Sequence, residues 1–326
     1  MLSAIGVPCA AALRCPNMIV VSGEALLDVF AAGSTPTGLM LDARIGGSPL
    51  NVAIGLARLA QPVAFFGAVS SGFLGDRLMQ AIVAEGVGTV CTPRLPAPAT
   101  LSLVGVDAAG VASYAFMGAG AADRLLPLQA LATVPAADAY QFGSYAMVVE
   151  PVAATQRALV EREWQRSVIA YDPNVRLNVE PDIQRWRDTL QWMLPRSALL
   201  KISDEDLGLL YPGRAADALA REWLAAGVSL VVVTRGGEGA WAWTASHHIT
   251  ARPVPVTVID TVGAGDTFQA ALLTALAERD LLTREALAVL SAPDLQAVLD
   301  FATHAAALTC TRRGADLPRR AELPAV

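Results

Sequence analysis

Lysine and histidine are nearly absent. Of 24 Lys and Arg residues in 326, Lys201 is the single lysine, and histidine occurs three times. The four cysteines, Cys9, Cys15, Cys91 and Cys310, are scattered and form no CxxC pair. That combination argues against a Cys/His zinc site and fits a reducing cytoplasm. Charge is sparse as well. Only 17% of residues are charged and the net charge is −6, which argues against a nucleic-acid or acidic-membrane partner. No apolar run reaches 18 residues, so no membrane-spanning helix is expected. Residues 1–17 lack a basic segment before an apolar stretch and make a poor signal peptide; they read as a flexible extension, with the fold starting near Met18. Three catalytic signatures are missing. There is no GxxxxGK[ST] for a Walker-type NTPase and no GxSxG for a serine hydrolase. The GxG at 263–265 lacks the third glycine of a dinucleotide fold.

What is present is apolar residue, 54% of the chain, enough for a sizeable core in one large α/β domain or two modest ones. The chain is organised around 254–278, VPVTVIDTVGAGDTFQAALLTALAE. Val254 to Ile259 is β-branched and predicts a buried strand ending at Asp260. Gly263, Ala264 and Gly265 predict a tight turn, and Asp266 opens a helical run. A glycine turn at a helix N-terminus makes an anion site, because its N–H groups point outward and the helix dipole favours negative charge. Asp266 is the odd residue there. A carboxylate would repel a bound phosphate unless it has its own task, and taking a proton from an attacking hydroxyl is such a task. The plain alternative is that Asp266 only caps the helix.

Elsewhere, apolar strands alternate with helices, the pattern of a parallel sheet. Strands are expected at Met18–Val21, Val63–Val69, Ala139–Phe142, Val168–Tyr171, Ala198–Ile202 and Leu230–Val233. In the helix after Gly46–Gly47, Ser48 is the expected cap, Pro49 its first residue, and Val52, Leu56 and Leu59 its buried stripe. Asn51 lies in its first turn, either capping or holding a hydroxyl. Glu24 and Asp28 read as loop solvation, although a carboxylate that accepts two hydroxyls also suits a polyol. Thr100–Val106 and Val111–Phe116 predict a hairpin about residues 107–110, a flap over the sheet edge with no Lys or Arg from Ala99 to Asp123. Polar clusters repeatedly follow strands, at Gly23–Glu24, Asp172–Arg176, Ser203–Asp206, Thr234–Gly237 and Asp260–Asp266. In open parallel sheets ligands bind beyond the carboxyl ends of the strands, so five such clusters point to one shared cleft.

DTVGAGDTF at 260–268 and GGSPLNVA at 46–53 resemble the two signatures of the ribokinase-like (PfkB) carbohydrate kinases. GEALLD at 23–28, DPNVR at 172–176, KISDEDLGLLYP at 201–212 and VVVTRGGEGA at 231–240 look most like its bacterial fructokinase branch. The resemblance implies a three-layer α/β ribokinase-like fold over 18–326. Its central sheet is mostly parallel and flanked by helices, with a small β-strand lid from about 29–45 and 98–120. It implies transfer of the γ-phosphoryl of MgATP to a terminal hydroxyl of a neutral sugar, fructose first, with 2-keto-3-deoxygluconate, ribose or non-catalytic sugar sensing as alternatives.

The residue roles it implies are these. Asp266 is the base, and the N–H groups of Ala264, Gly265 and Asp266 form the anion hole, with Gly263 in the same catalytic turn and Arg176 near the transferred group. Asp28, Gly46, Gly47, Asn51 and Phe116 bind the sugar. Ser203, Asp206, Thr234, Gly236, Gly239 and His304 serve ATP, and Asp206 acts indirectly on Mg²⁺. Asp260 helps hold a monovalent cation such as K⁺, and a homodimer pairs through the lid. The chain departs from the family pattern at Ala60, Gly72, Ala271, Ser203, Asp206, Met117 and Gly118, the last two standing where relatives often carry Tyr and Arg.

Overall fold

In the computed structural model, residues 17–106 and 112–325 are described. Residues 1–16 of the expected 1–17 extension and the flap turn at 107–110 therefore lie outside the described residues. The runs IVVS, VAFF, AYQFG, VIAYD, LLKIS and LVVVT become strands Ile19–Ser22, Val63–Phe66, Ala139–Gly143, Val168–Asp172, Leu199–Ser203 and Leu230–Thr234. They are apolar almost throughout because both faces of a parallel sheet are covered. Successive residues of the first strand show it: Ile19 and Val21 enter one core cluster and Val20 the other.

The eight-stranded sheet runs His248–Ala251, Ala240–Trp243, Leu230–Thr234, Leu199–Ser203, Val168–Asp172, Ala139–Gly143, Ile19–Ser22, Val63–Phe66. The first two strands form the antiparallel hairpin expected around Trp241. The other six are mutually parallel. Helices Ser48–Arg58, Ala264–Glu278 and Ala292–Cys310 cover one face; Val152–Glu163, Ile183–Met193 and Ala216–Ala225 cover the other. Ala264–Glu278 is the central helix: from Thr267 to Ala277 every residue is buried, polar Thr267, Gln269 and Thr274 included. A leucine such as Leu272 buried there contributes roughly 1.5–3 kcal/mol, so Leu272→Asp would break the layer.

A second sheet forms the lid, in the order Gly38–Gly46, Leu26–Thr35, Leu101–Val106, Ala112–Met117. Its register sets Asp28 opposite Ser102 and Ser102 opposite Phe116. Leu39, Met40, Leu41 and Met117 leave large apolar surface exposed on it. Among the described residues no helix is long and apolar enough to cross a membrane.

Two local expectations are corrected. Val254–Ile259 is not a strand, and Val258 and Ile259 are 59% and 63% exposed. Pro253 and Pro255 bracket its start, and proline cannot donate to a ladder. Ser48 is not the cap of its helix either: Gly47 is, at φ 105, and Ser48 stands inside the helix with its hydroxyl turned elsewhere.

Candidate active site

The carboxyl ends of Val168–Asp172, Leu199–Ser203 and Leu230–Thr234 meet the N-terminus of the central helix around a cavity of about 730 Å³. Four of the five polar clusters follow main-sheet strands, as expected. The fifth, Asp260–Asp266, arrives from the exposed 254–259 segment instead.

Gly263 caps the central helix with φ 79, a left-handed conformation that L side chains rarely adopt. A Cβ there would also lie 2.7 Å from the Ala315 Cβ. The Ala264 N–H is drawn back to the Thr261 carbonyl at 3.2 Å, and Thr267 N–H returns to Gly263 O at 2.8 Å. The N–H groups of Gly265 and Asp266 lie between them, in the first turn whose donors a helix leaves unpaired. The anion hole is thus narrower than the three N–H groups expected from sequence, since that of Ala264 is turned back on its own loop.

Asp266 is held at both oxygens. Ser48 Oγ donates to Oδ1 at 2.6 Å, and Asn51 Nδ2 donates to Oδ2 at 2.8 Å. Burial pushes its carboxyl above the usual range, against the pull of those two hydrogen bonds and of the Lys201 charge. Asn51 therefore orients the acid directly, a role beyond the two its position suggested. Such a carboxylate is fixed in direction and raised in basicity, the requirements for a general base.

Lys201, the single lysine, was passed over in the sequence reading. Its Nζ lies 2.7 Å from Asp172 Oδ2, both side chains almost fully buried. A Cβ on Gly265 would lie 3.4 Å from that Nζ, so the ammonium stands beside the anion hole. The available signal was composition: a chain that uses arginine everywhere else keeps one lysine in the middle of a core strand. Ser203 and Asp206 stand next to it. Ser203 Oγ accepts the Asp206 N–H at 3.0 Å, capping the helix Asp204–Leu210. The Asp206 carboxylate accepts the Val175 N–H at 3.3 Å, and burial and the neighbouring Asp172 push it up to about 6.

At the nucleotide end, Thr234, Gly236 and Gly239 line the cavity. Gly239 has φ 88, and a Cβ there would meet Ala251 O at 2.2 Å. The half-buried Val254 and the exposed Val256 and Val258 form one apolar wall, and Thr303, Ala306, Ala307 and Cys310 form a wall along one helix face. An apolar slot of this kind accepts a flat ring. His304 does not line it, contrary to expectation. Helix periodicity turns residue 304 away from the face that carries 303, 306, 307 and 310.

At the opposite end, Asp28 takes a hydrogen bond from Ser102. Burial raises its carboxyl, while Arg176 lowers it. Gly46 gives Asp28 its place, since a Cβ would come 2.2 Å from Oδ2; Gly47, at φ 105, passes close to Glu24 O. Phe116 stands edge-on to Tyr145 with ring centroids 6.4 Å apart. The exposed Arg176 anchors Nη1 on Val175 O at 2.9 Å, and its charge is felt by Glu24, Asp28 and Asp206. Arg44 and Arg94 are taken up by Asp42 and Asp76.

Glu24 is not solvated. It is 2% exposed, and burial pushes it up to about 8. Asp123 is buried too, accepting the hydroxyls of Thr100 at 2.6 Å and Tyr145 at 2.8 Å. Neither signal was legible in the sequence, because burial of a single acid depends on what packs over it.

Among the described residues no group of three or more His, Cys, Asp or Glu could hold a metal by itself. A divalent ion shared with phosphates needs fewer protein ligands. Asp172 Oδ1 is buried without a partner and couples to Asp206, so this pair suits a cation placed between protein and phosphate. Asp260 ties two loops together, Oδ1 accepting Val262 N–H at 3.1 Å and Oδ2 accepting Gly314 N–H at 2.8 Å. Its lone pairs leave room for a weakly bound cation.

The pattern of pfkB family carbohydrate kinases matches residues 17–321. A fructokinase of Rhizobium leguminosarum bv. trifolii is 36% identical over 84% of each chain. One from Vibrio alginolyticus is 29% identical over 94% of this chain and 98% of its own. Among solved structures, Xylella fastidiosa fructokinase with bound ATP superposes with TM-score 0.85 at 26% identity, over 94% of this chain and 97% of that one. Fructokinase of Vibrio cholerae O395, in a form with fructose, ADP and calcium ion bound, gives TM-score 0.78 at 26% identity over 94% and 97%.

Proposed function

The chain belongs to the pfkB family of carbohydrate kinases, and we propose that it transfers the γ-phosphoryl group of ATP to a terminal hydroxyl of fructose. The observation that carries this reading is Asp266, held by Ser48 and Asn51 at the N-terminus that also presents the Gly265 and Asp266 N–H groups. ATP enters with its base in the slot between Val256 and Ala307 and its phosphates along Thr234 and Gly236 toward Lys201. The sugar lies across Asp28 and Phe116, with the reacting hydroxyl at Asp266. Asp266 accepts the hydroxyl proton as the oxygen attacks phosphorus. The Gly265 and Asp266 N–H groups, Lys201 and Arg176 stabilise the charge on the transferred group. Mg²⁺, held through Asp206 and the Asp172 oxygen, would neutralise phosphate charge when bound. K⁺ at Asp260 would stiffen the loop that leads into Gly263. The names of the relatives, and an acid-lined sugar end with Asp28 as hydroxyl acceptor, support a neutral ketohexose.

A coupled ADP-release assay over fructose, ribose, 2-keto-3-deoxygluconate and nucleosides tests the reading. Fructose should give the highest kcat/KM, and a markedly higher value on 2-keto-3-deoxygluconate refutes the choice of sugar. We further propose a homodimer through the lid, supported by the exposed Leu39, Met40, Leu41 and Met117. Met40→Glu should then lower the sedimentation mass. The cytoplasm, which supplies ATP, is the proposed compartment.

A further inference from the structure

The lid carries a row of side chains on one face. Asp28, Ser102 and Phe116 are direct partners across neighbouring strands, so they point the same way. The row begins near Asp266, whose charge reaches the Asp28 carboxyl. Residue 118 follows directly on Met117, the last residue of that strand, and so lies just beyond Phe116. Residue 118 is glycine, and its place is filled from elsewhere. A Cβ built on Gly118 would lie 2.6 Å from Arg124 Nη2 and 2.8 Å from Arg124 Nε. The guanidinium rests over the Tyr145 ring at 5.3 Å, and Tyr145 in turn meets Phe116.

Arg124 is not there to hydrogen-bond its neighbour Asp123. Both Asp123 oxygens are taken, by the hydroxyls of Thr100 and Tyr145. Arg124 Nε is buried and has no partner. A half-buried guanidinium whose Nε is unused therefore stands beyond the end of a row that begins with the acceptor Asp28. A polyol needs both: a carboxylate to receive one hydroxyl proton and a donor for the oxygens further along.

We propose that Arg124 is an acceptor-binding residue, its guanidinium donating to the sugar hydroxyls remote from the one phosphorylated and occupying the space that a side chain at 118 would claim. This rests on the sugar-kinase reading above. It also supplies the positive charge that the stretch from Ala99 to Asp123 lacks, from one residue beyond it.

The test is steady-state kinetics of the parent, Arg124→Met, Arg124→Lys and Gly118→Ala, with fructose and ATP varied separately and a melting curve for each. Arg124→Met should raise the fructose KM about tenfold or more, the usual consequence of losing charge-assisted hydrogen bonds to a ligand. Its kcat should stay within about threefold and its ATP KM unchanged, since both reflect groups at the other end of the cleft. Arg124→Lys should fall between. Gly118→Ala should mimic Arg124→Met, because the new methyl must displace the guanidinium while the arginine itself is kept. Should Arg124→Met fold poorly, Gly118→Ala alone carries the decision. Sugar KM values within about twofold of the parent overturn the inference and leave the kinase reading intact. A parent protein idle on every sugar of the panel overturns both.

Discussion

Replacing Asp266 by Asn separates a catalytic base from a helix cap. The two side chains are nearly isosteric, and the neighbours can adapt. Ser48 now donates to Oδ1 and Asn51 to Oδ2. With Asn at 266 the amide oxygen can keep the Asn51 donor, while the amide N–H₂ turns to Ser48, whose hydroxyl can rotate to accept. Lys201, the Gly265 and Asp266 N–H groups and Arg176 are untouched. What disappears is the ability to take a proton, and with it about 10²–10⁴ in kcat. At about 1.4 kcal/mol per factor of ten, that is roughly 3–5 kcal/mol of barrier. Sugar and ATP affinities should move far less, and ATP can bind tighter once a negative charge near its phosphates is gone. Stability moves the other way. Burial raises the folded Asp266 carboxyl above its usual value. The stability linked to that raised value is complete below the unfolded pKa and is lost as pH climbs through the folded one. At neutral pH the ionised carboxylate is therefore a cost that Asn removes. The variant should melt at or above the parent temperature near pH 7.5, with the gap closing toward pH 4. Turnover, calorimetric binding and melting of this one variant suffice. A well-folded Asp266→Asn protein with kcat within a few-fold of the parent removes the base from the mechanism.

Glu24, pushed up to about 8 by burial, has the same sign: its contribution is full below the ordinary value of 4.5 and is lost as pH rises to about 8. Parent Tm should therefore fall relative to Glu24→Gln between pH 5 and 8.5, and parallel Tm profiles would contradict this. Lys201→Met strands Asp172 as a buried unpaired charge and should cost about 3–5 kcal/mol of stability along with kcat. Adding Asp172→Asn should restore the denaturant midpoint but not the turnover, whereas recovery of both would make the pair purely structural. Gly263→Ala forces a Cβ into φ 79 and against Ala315. It should lower kcat at least about tenfold by shifting the Gly265 and Asp266 N–H groups, against a backbone cost of only about 1–2 kcal/mol in stability. Unchanged kcat would mean those N–H groups are not aimed at the transferred phosphoryl.

The amino-acid order alone determined the layered frame and the catalytic turn. Continuous apolar runs such as LVVVT and VIAYD bury on both faces wherever they lie, and that requirement specifies a parallel sheet covered by helices. Gly263 and Gly47 take positive-φ backbone conformations that L side chains rarely adopt, so the two glycine turns were legible from spacing, although the first helical residue after Gly47 was not. Side-chain partners were not. Ser48 and Asp266 are 218 residues apart, and only the packing of their two helices makes the serine a support for the acid instead of a cap. Glu24 reads as any loop acid until the fold buries it beside Ser144 and Asp123. Val254–Ile259 carries the composition of a buried strand, but apolar content records only a preference for leaving water. Whether a sheet or a cleft meets that preference depends on which surface the rest of the chain brings near. His304 and Thr303 differ by one residue, and the rotation of the Ala292–Cys310 helix against the cleft decided which of them lines it. The same holds for Arg124. Neither its own residue type nor the glycine at 118 says that the one fills the space left by the other, since that follows from a turn folding back on a strand, which only the tertiary structure fixes.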